Sequence, residues 1–140
     1  GMDKACYEAY DSCLHYAPDN VGALNNYAYY LSLDPAADLQ KAEQMSLKAV
    51  QKEPDNATFL DTYAWILFKE KRYDDAKTIA ERAIASDSTL SSVVVEHCGD
   101  IFYMAGDTDR AMEMWQKAAQ EDEGNAILRR KIELKKYIEE

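Results

Sequence analysis

The feature that most constrains the fold is a pair of helical segments between residues 57 and 90 that recurs along the chain. One face of the first segment carries apolar residues at the i, i+3, i+4, i+7 spacing of an α-helix, namely Leu60, Tyr63, Ala64 and Leu67. The second segment carries a stripe of alanines, namely Ala76, Ala80 and Ala83. A short polar turn joins the two segments, so this stretch predicts two amphipathic helices packed back to back.

Small residues recur at matching positions in the neighbouring stretches. They form three columns, which are Ala28, Ala64 and Gly99, then Ala42, Ala76 and Ala111, and finally Ala49, Ala83 and Ala118. Successive members of a column are 34 to 36 positions apart. A helix–turn–helix unit with a period near 34 residues resembles the tetratricopeptide repeat family. The resemblance covers nearly the whole chain and implies an all-α fold, a right-handed α-α superhelix (solenoid) with a C-terminal capping helix.

The repeats predict a single array over 1–140. It divides into a half repeat that supplies only a second helix (3–20), repeat 1 (21–56), repeat 2 (57–91), repeat 3 (92–125) and a capping helix (126–140). These repeats look like the terminal repeats of bacterial tetratricopeptide proteins.

Composition supports the all-helical prediction and restricts the partners. The chain has 47% apolar residues with only 5 Gly and 3 Pro, which is enough apolar surface for a core and few turn residues for an all-β protein. A net charge of −10 argues against nucleic acid as a partner, because such binding needs a basic face that displaces counterions. The same charge argues against anionic membranes, and no apolar run approaches the 18 or so residues of a membrane span.

The sequence shows no pattern typical of catalysis, metal binding or a cofactor. His15 and His97 lie far apart, and Cys98 beside His97 points about 100° away from it on a helix. Cys6 and Cys13 lack zinc-ligand spacing, and they occupy the positions at which other repeats have alanine. We therefore expect a non-enzymatic protein without cofactor, in which both cysteines are small buried residues.

The two ends of the array raise separate questions. The N-terminal half repeat leaves the apolar face of its helix without a first helix, and three interpretations are open. The chain is cut from a longer array, as Gly1-Met2 suggests, or it dimerises through residues 3–17, or the lone helix packs by itself.

The last helix, predicted from Asn125 to the end, is rich in Lys and Arg. Its charge suits either a solvated cap or a docking site for an acidic partner.

The resemblance implies that a protein or peptide partner binds in a concave groove lined by the first helices. The positions it assigns to that groove are Asn25, Tyr29, Asp61, Trp65, Phe68, Glu96, Asp100 and Tyr103, with Arg130 and Tyr137 from the last helix. Acidic and aromatic side chains together favour an apolar segment with basic residues. Trp65 is the expected anchor, because tryptophan is over-represented at interface hot spots.

Alternatives to this function remain open at the level of sequence. Trp65 and Phe68 fit packing between repeats as well as they fit ligand contact. If Trp65 is a contact residue, Trp65→Ala weakens binding and changes thermal stability little. The leading interpretation is a scaffold or adaptor module. The alternatives are an assembly or regulatory part of a larger bacterial envelope protein, and self-association through the first helix. The compartment stays open, between the cytoplasm and an envelope location.

Overall fold

The structure is a computed structural model that describes residues 4–34, 38–87 and 89–139. In these ranges every regular element is an α-helix. The helices are α1 (Lys4–Tyr16), α2 (Val21–Leu33), α3 (Leu39–Lys52), α4 (Ala57–Lys69), α5 (Tyr73–Ser86), α6 (Ser92–Met104), α7 (Thr108–Glu121) and α8 (Ala126–Leu134). The predicted all-α class is confirmed, and even the β-branched run Val93–Val95 lies inside an α-helix, α6.

A side-chain cap begins each helix that opens a repeat. Asn20, Asn56, Ser91 and Asn125 precede α2, α4, α6 and α8. Each side-chain oxygen accepts a hydrogen bond from the backbone N–H three residues later, at 2.9 to 3.4 Å. Asn and Ser favour this position because their short polar side chains satisfy an N–H group that lacks a partner within the helix. The repeated cap fixes where each first helix starts.

The three columns of small residues lie in the core between helices. Ala28, Ala42, Ala49, Ala76, Ala83 and Ala111 are all fully buried, and the remaining members are buried as well. The helices pack as pairs, α2 with α3, α4 with α5 and α6 with α7, and each pair packs against the next. The first helices α2, α4 and α6 also contact one another side by side. Their outer faces therefore form one continuous surface of the stack.

The turns inside repeats 2 and 3 share one geometry. Lys71 has φ 64° and Gly106 has φ 92°, both in the left-handed region. In each turn the next N–H donates to a carbonyl five residues back, Arg72 to Leu67 at 2.9 Å and Asp107 to Phe102 at 2.8 Å. Glycine reaches this conformation at little cost, whereas lysine does so with steric strain.

Two expectations from the sequence are wrong. Cys6 and Cys13 are exposed, because α1 packs on α2 through its Tyr7 and Leu14 side and leaves the other side open. The last helix is also shorter than predicted. It ends at Leu134, where Lys135 adopts a left-handed conformation with φ 53°.

Candidate functional site

A cavity of about 470 Å³ opens on the concave surface formed by the first helices. It is bounded by α2, α4 and α6, by the loop before α8 and by the segment after α8. Its lining residues are Tyr29, Leu33, Trp65, Lys69, Val93, Glu96, His97, Asp100, Asp122, Asn125 and Tyr137. We call this cavity the concave groove.

Trp65 sits in the middle of an aromatic stack on the wall of the groove. Its ring centroid lies 4.7 Å from that of Phe68 and 4.0 Å from that of His97, with nearly parallel planes. Tyr137 packs edge-on against Phe68 at 5.3 Å. Trp65 is only 7% exposed, and its Nε1 lacks a hydrogen-bond partner among the described residues. The indole therefore serves the packing between α4 and α6 and presents one edge to the groove.

The burial of Trp65 changes one expectation. We expected Trp65→Ala to change thermal stability little, but an indole stacked on both faces leaves a large void when it is removed. Such truncations cost about 3–5 kcal/mol in a buried position.

His97 links two repeats through an acidic partner. Its Nδ1 lies 3.2 Å from both carboxylate oxygens of Asp61, which lies on α4. Burial alone would lower the pKa of His97. The charge and hydrogen bond of Asp61, with smaller effects from Asp100 and Glu96, outweigh burial and raise this pKa. The imidazole thus favours its charged form beside Asp61.

A buried ion network joins α6 to α8. Lys131 Nζ donates to Glu96 Oε2 at 2.6 Å and to Asp100 Oδ1 at 2.9 Å, and its side chain is 1% exposed. Trp115 Nε1 donates to the same Asp100 oxygen at 3.0 Å, and Asn125 Nδ2 donates to Glu96 Oε1 at 3.0 Å. Two carboxylates and one ammonium meet there, so the network carries an excess negative charge.

Burial acts in opposite directions on the pKa values of the acidic and basic groups in this network. Burial raises the pKa of Asp100 to about 6, although Lys131 and the hydrogen bond from Trp115 act in the opposite direction. Burial alone would lower the pKa of Lys131, but Asp100 and Glu96 raise it above its ordinary value. Lys131 is therefore a fixed cation at the end of the groove.

The structure brings half of the predicted site residues into the groove. Tyr29, Trp65, Glu96, Asp100 and Tyr137 line the cavity, whereas Asn25, Asp61, Phe68, Tyr103 and Arg130 are outside its lining. Asn25, Asp61 and Phe68 are buried in the wall. Tyr103 packs near Trp115 with centroids 5.8 Å apart, and Arg130 is exposed on α8.

Sequence reasoning missed Lys131, which it counted among the charges of a solvated cap. A signal was present, because Lys131 follows the buried Leu128 by three positions and therefore shares its helix face. It also missed His97 and Asp122, which line the groove. Glu96 and Asp100 line the groove, but both are buried and bonded to Lys131.

The described residues contain no cluster of three or more His, Cys, Asp or Glu side chains arranged to hold a metal ion. Burial raises the pKa of the Cys98 thiol to about 12, which keeps it protonated and a poor nucleophile. None of the helices in the described ranges combines the length and apolar character that crossing a bilayer requires.

The capped helix pairs, the buried alanine columns and the concave surface form a solenoid of helix–turn–helix repeats, a fold similar to that of tetratricopeptide-repeat structures. A thermophilic TPR protein of Thermus thermophilus, TTC0263, superposes with a TM-score of 0.74 at 14% identity, over 94% of this chain and 72% of that one. MamA gives a TM-score of 0.74 at 21% identity, over 92% and 74% of the two chains. The N-terminal domain of stress-induced protein-1 from C. elegans gives 0.60 at 22% identity, over 95% and 98%.

Sequence comparison gives a further likeness. The chain is 23% identical over 107 residues to stress-induced-phosphoprotein 1 of Caenorhabditis elegans. That match covers 72% of this chain and 33% of the relative's length. No family model matches the chain. These likenesses confirm the right-handed helical-repeat fold predicted from the sequence. The small rotation from one repeat to the next gives repeat solenoids in general an extended concave surface that can bind a partner.

Proposed function

We propose that the protein is a non-enzymatic interaction module whose concave groove binds an extended, apolar segment of a partner protein that carries basic side chains. The proposal rests on one observation. Exposed apolar side chains border a groove in which carboxylates outnumber basic groups. Leu33 is 45% exposed and Val93 is 54% exposed, and both line the same cavity. Exposed apolar surface that lines a groove and is rimmed by polar residues is typical of surfaces that bind a partner.

The charges of the groove favour a basic partner. Glu96, Asp100 and Asp122 line the cavity and Asp61 lies in its wall, while Lys69 and His97 line it and Lys131 lies beneath it, so carboxylates outnumber basic groups by one. A lysine or arginine of the partner would restore the balance.

The test compares two matched leucines. Leu33 is the last residue of α2 and lines the groove, whereas Leu134 is the last residue of α8, is 49% exposed and lies outside the lining. Because both are exposed, Leu33→Arg and Leu134→Arg should leave the fold intact. The probes are two fluorescently labelled pools of 12-residue peptides with the same apolar positions, one pool carrying Lys and the other Glu.

Fluorescence anisotropy should show binding of the Lys pool in preference to the Glu pool. Leu33→Arg should weaken that binding at least about tenfold, which corresponds to about 1.4 kcal/mol, because it removes apolar contact and adds a like charge. Leu134→Arg should have no effect on affinity. Equal binding of both pools, or an unchanged affinity in Leu33→Arg, would argue against the groove as the site.

A further inference from the structure

The segment that follows α8 folds back onto the concave groove. After the last helical residue, Leu134, Lys135 adopts the left-handed conformation with φ 53° and ψ 43°. The N–H of Lys136 then donates to the carbonyl of Lys131, five residues back, at 3.2 Å. This combination is a common helix stop, and it turns the chain sharply away from the helix axis. We call residues 135–139 the return segment.

Tyr137 holds the return segment against the wall of the groove. Its ring packs edge-on against Phe68 of α4, with centroids 5.3 Å apart and planes 82° apart. Lys131 Nζ lies 5.5 Å from the centroid of the same ring. Tyr137 and Ile138 are both half-buried, and Tyr137 lines the cavity. The return segment therefore occupies part of the concave groove.

The contact between Tyr137 and Phe68 is not part of the packing between repeats. Each repeat of a solenoid contacts only its neighbours. Phe68 belongs to repeat 2, whereas α8 and the return segment follow repeat 3. The contact therefore passes over repeat 3 on the concave side, and the stacking of the helices does not require it.

The return segment has the chemistry proposed for the partner. It consists of Lys135, Lys136, Tyr137, Ile138 and Glu139, so two ammonium groups precede two large apolar side chains. Carboxylates outnumber basic groups in the groove, and aromatic rings form part of its wall. The complementarity that favours a basic, apolar partner therefore also favours the return segment.

We propose that the return segment is an intramolecular competitor for the concave groove, so that a partner binds fully only after Tyr137 has left Phe68. This inference rests on the proposed function of the groove and adds its regulation. The apparent affinity of a protein is reduced in proportion to the fraction of molecules that can bind. A substitution that shifts the return segment in or out of the groove therefore changes the affinity for the partner.

Lys135 allows this equilibrium to be shifted in both directions from outside the groove. It is exposed and is not among the residues that line the cavity. Glycine adopts the left-handed conformation at little cost, so Lys135→Gly should favour the seated segment. Proline holds φ near about −65° and lacks the N–H that donates to Ile132, so Lys135→Pro should release the segment. Both substitutions remove the same ammonium group, so the two variants are matched in charge.

Fluorescence anisotropy with the Lys pool of 12-residue peptides measures the effect. If the seated form predominates by about ten to one, Lys135→Pro and Tyr137→Ala should each bind the pool roughly tenfold more tightly than the wild type. Lys135→Gly should bind it about two- to fivefold more weakly. The control Lys71→Gly changes the other left-handed lysine, which lies outside the cavity lining, and should leave the affinity unchanged. Far-UV circular dichroism checks the helix content of each variant.

Three results would overturn the inference, and they differ from one another. Equal affinities of Lys135→Gly, Lys135→Pro and the wild type would show that the return segment does not compete, while the groove remains the binding site. Weaker binding by Tyr137→Ala would make Tyr137 a contact of the partner. A lack of peptide binding by the wild type and by every variant would contradict the proposed function itself, and the inference with it.

Discussion

The indole of Trp115 occupies the space that a Cβ atom on Gly99 would need. A Cβ built at Gly99 would lie 2.4 Å from Trp115 Cδ1 and 2.5 Å from its Nε1, far inside van der Waals contact. Gly99 belongs to the column that holds Ala28 and Ala64 in the other repeats. The column thus has a glycine, which lacks a Cβ atom, at the position where the facing helix α7 carries the large side chain of Trp115.

Gly99→Ala should therefore destabilise the protein. Trp115 has no exposed surface, and its Nε1 is bonded to Asp100, so the ring has little room to move. We expect a loss of about 1–3 kcal/mol in the free energy of unfolding, measured by urea denaturation. In a Trp115→Leu background the same substitution should cost much less, giving a coupling energy of about 1 kcal/mol or more. Additive effects of the two substitutions would contradict the steric explanation.

Lys71→Gly should stabilise the protein. Lys71 holds the left-handed conformation that Gly106 holds in the next repeat, and this conformation is strained for L-residues other than glycine. After allowance for the greater freedom of glycine in the unfolded chain, we expect a gain of about 0.5–1 kcal/mol in the free energy of unfolding. Lys69→Gly, at the last residue of α4, should instead be destabilising, by less than the roughly 1 kcal/mol that glycine costs in a helix interior. A loss of stability in Lys71→Gly would show that the side chain compensates for its strain.

The repeat period predicted the helices and the alanine columns because the same local packing recurs in each repeat. Periodicity indicates which face of a helix is apolar, however, and does not say what covers that face. For this reason Cys6 and Cys13 were predicted to be buried like Ala42 and Ala49, and they are exposed. In the candidate site, the number of basic residues on the last helix led to the prediction that Lys131 is exposed to solvent. Its burial depends on two carboxylates from another helix, 31 and 35 positions away in sequence.

Lys131→Met should destabilise the protein strongly. The substitution keeps the apolar stem but leaves Glu96 and Asp100 buried without their cation. Removal of one partner from a buried ion pair costs about 3–5 kcal/mol, which urea denaturation at pH 7 would detect. Lys135→Met, at an exposed position just after α8, is the matched control and should change the free energy of unfolding by less than about 0.5 kcal/mol. Equal effects of the two substitutions would mean that the buried ion network makes no specific contribution to the free energy of unfolding.

Trp65→Ala and Leu33→Arg should separate packing from binding. Trp65 is stacked between Phe68 and His97, so its truncation should lower the free energy of unfolding by about 3–5 kcal/mol. Leu33 is exposed in the groove, and its substitution should leave this free energy within about 0.5 kcal/mol of the wild-type value. Thermal and urea denaturation of the two variants test both statements. A stable Trp65→Ala variant would mean that the indole is free to leave the stack.

Asp100 should make the protein less stable as pH rises from about 4 to about 6. Its pKa is about 6 in the folded state and 3.8 in the ordinary reference, so the folded state binds more protons between these values. The free energy of unfolding then falls with rising pH across this window, and the loss persists above it. His97 acts in the same direction at higher pH, because its raised pKa lies above the ordinary 6.5.

Asp100→Asn should reduce the fall between pH 4 and 6, to which Glu70 also contributes through a pKa raised by burial, and it should keep the fall due to His97. The amide oxygen still accepts the hydrogen bond from Trp115, and Glu96 still balances the charge of Lys131. Urea denaturation at pH 4.5, 5.5 and 7 provides the measurement. Asp122→Asn, also in the groove lining, serves as the control and should retain the wild-type pH dependence. If Asp100→Asn follows the wild-type curve, another buried group is responsible for the pH dependence.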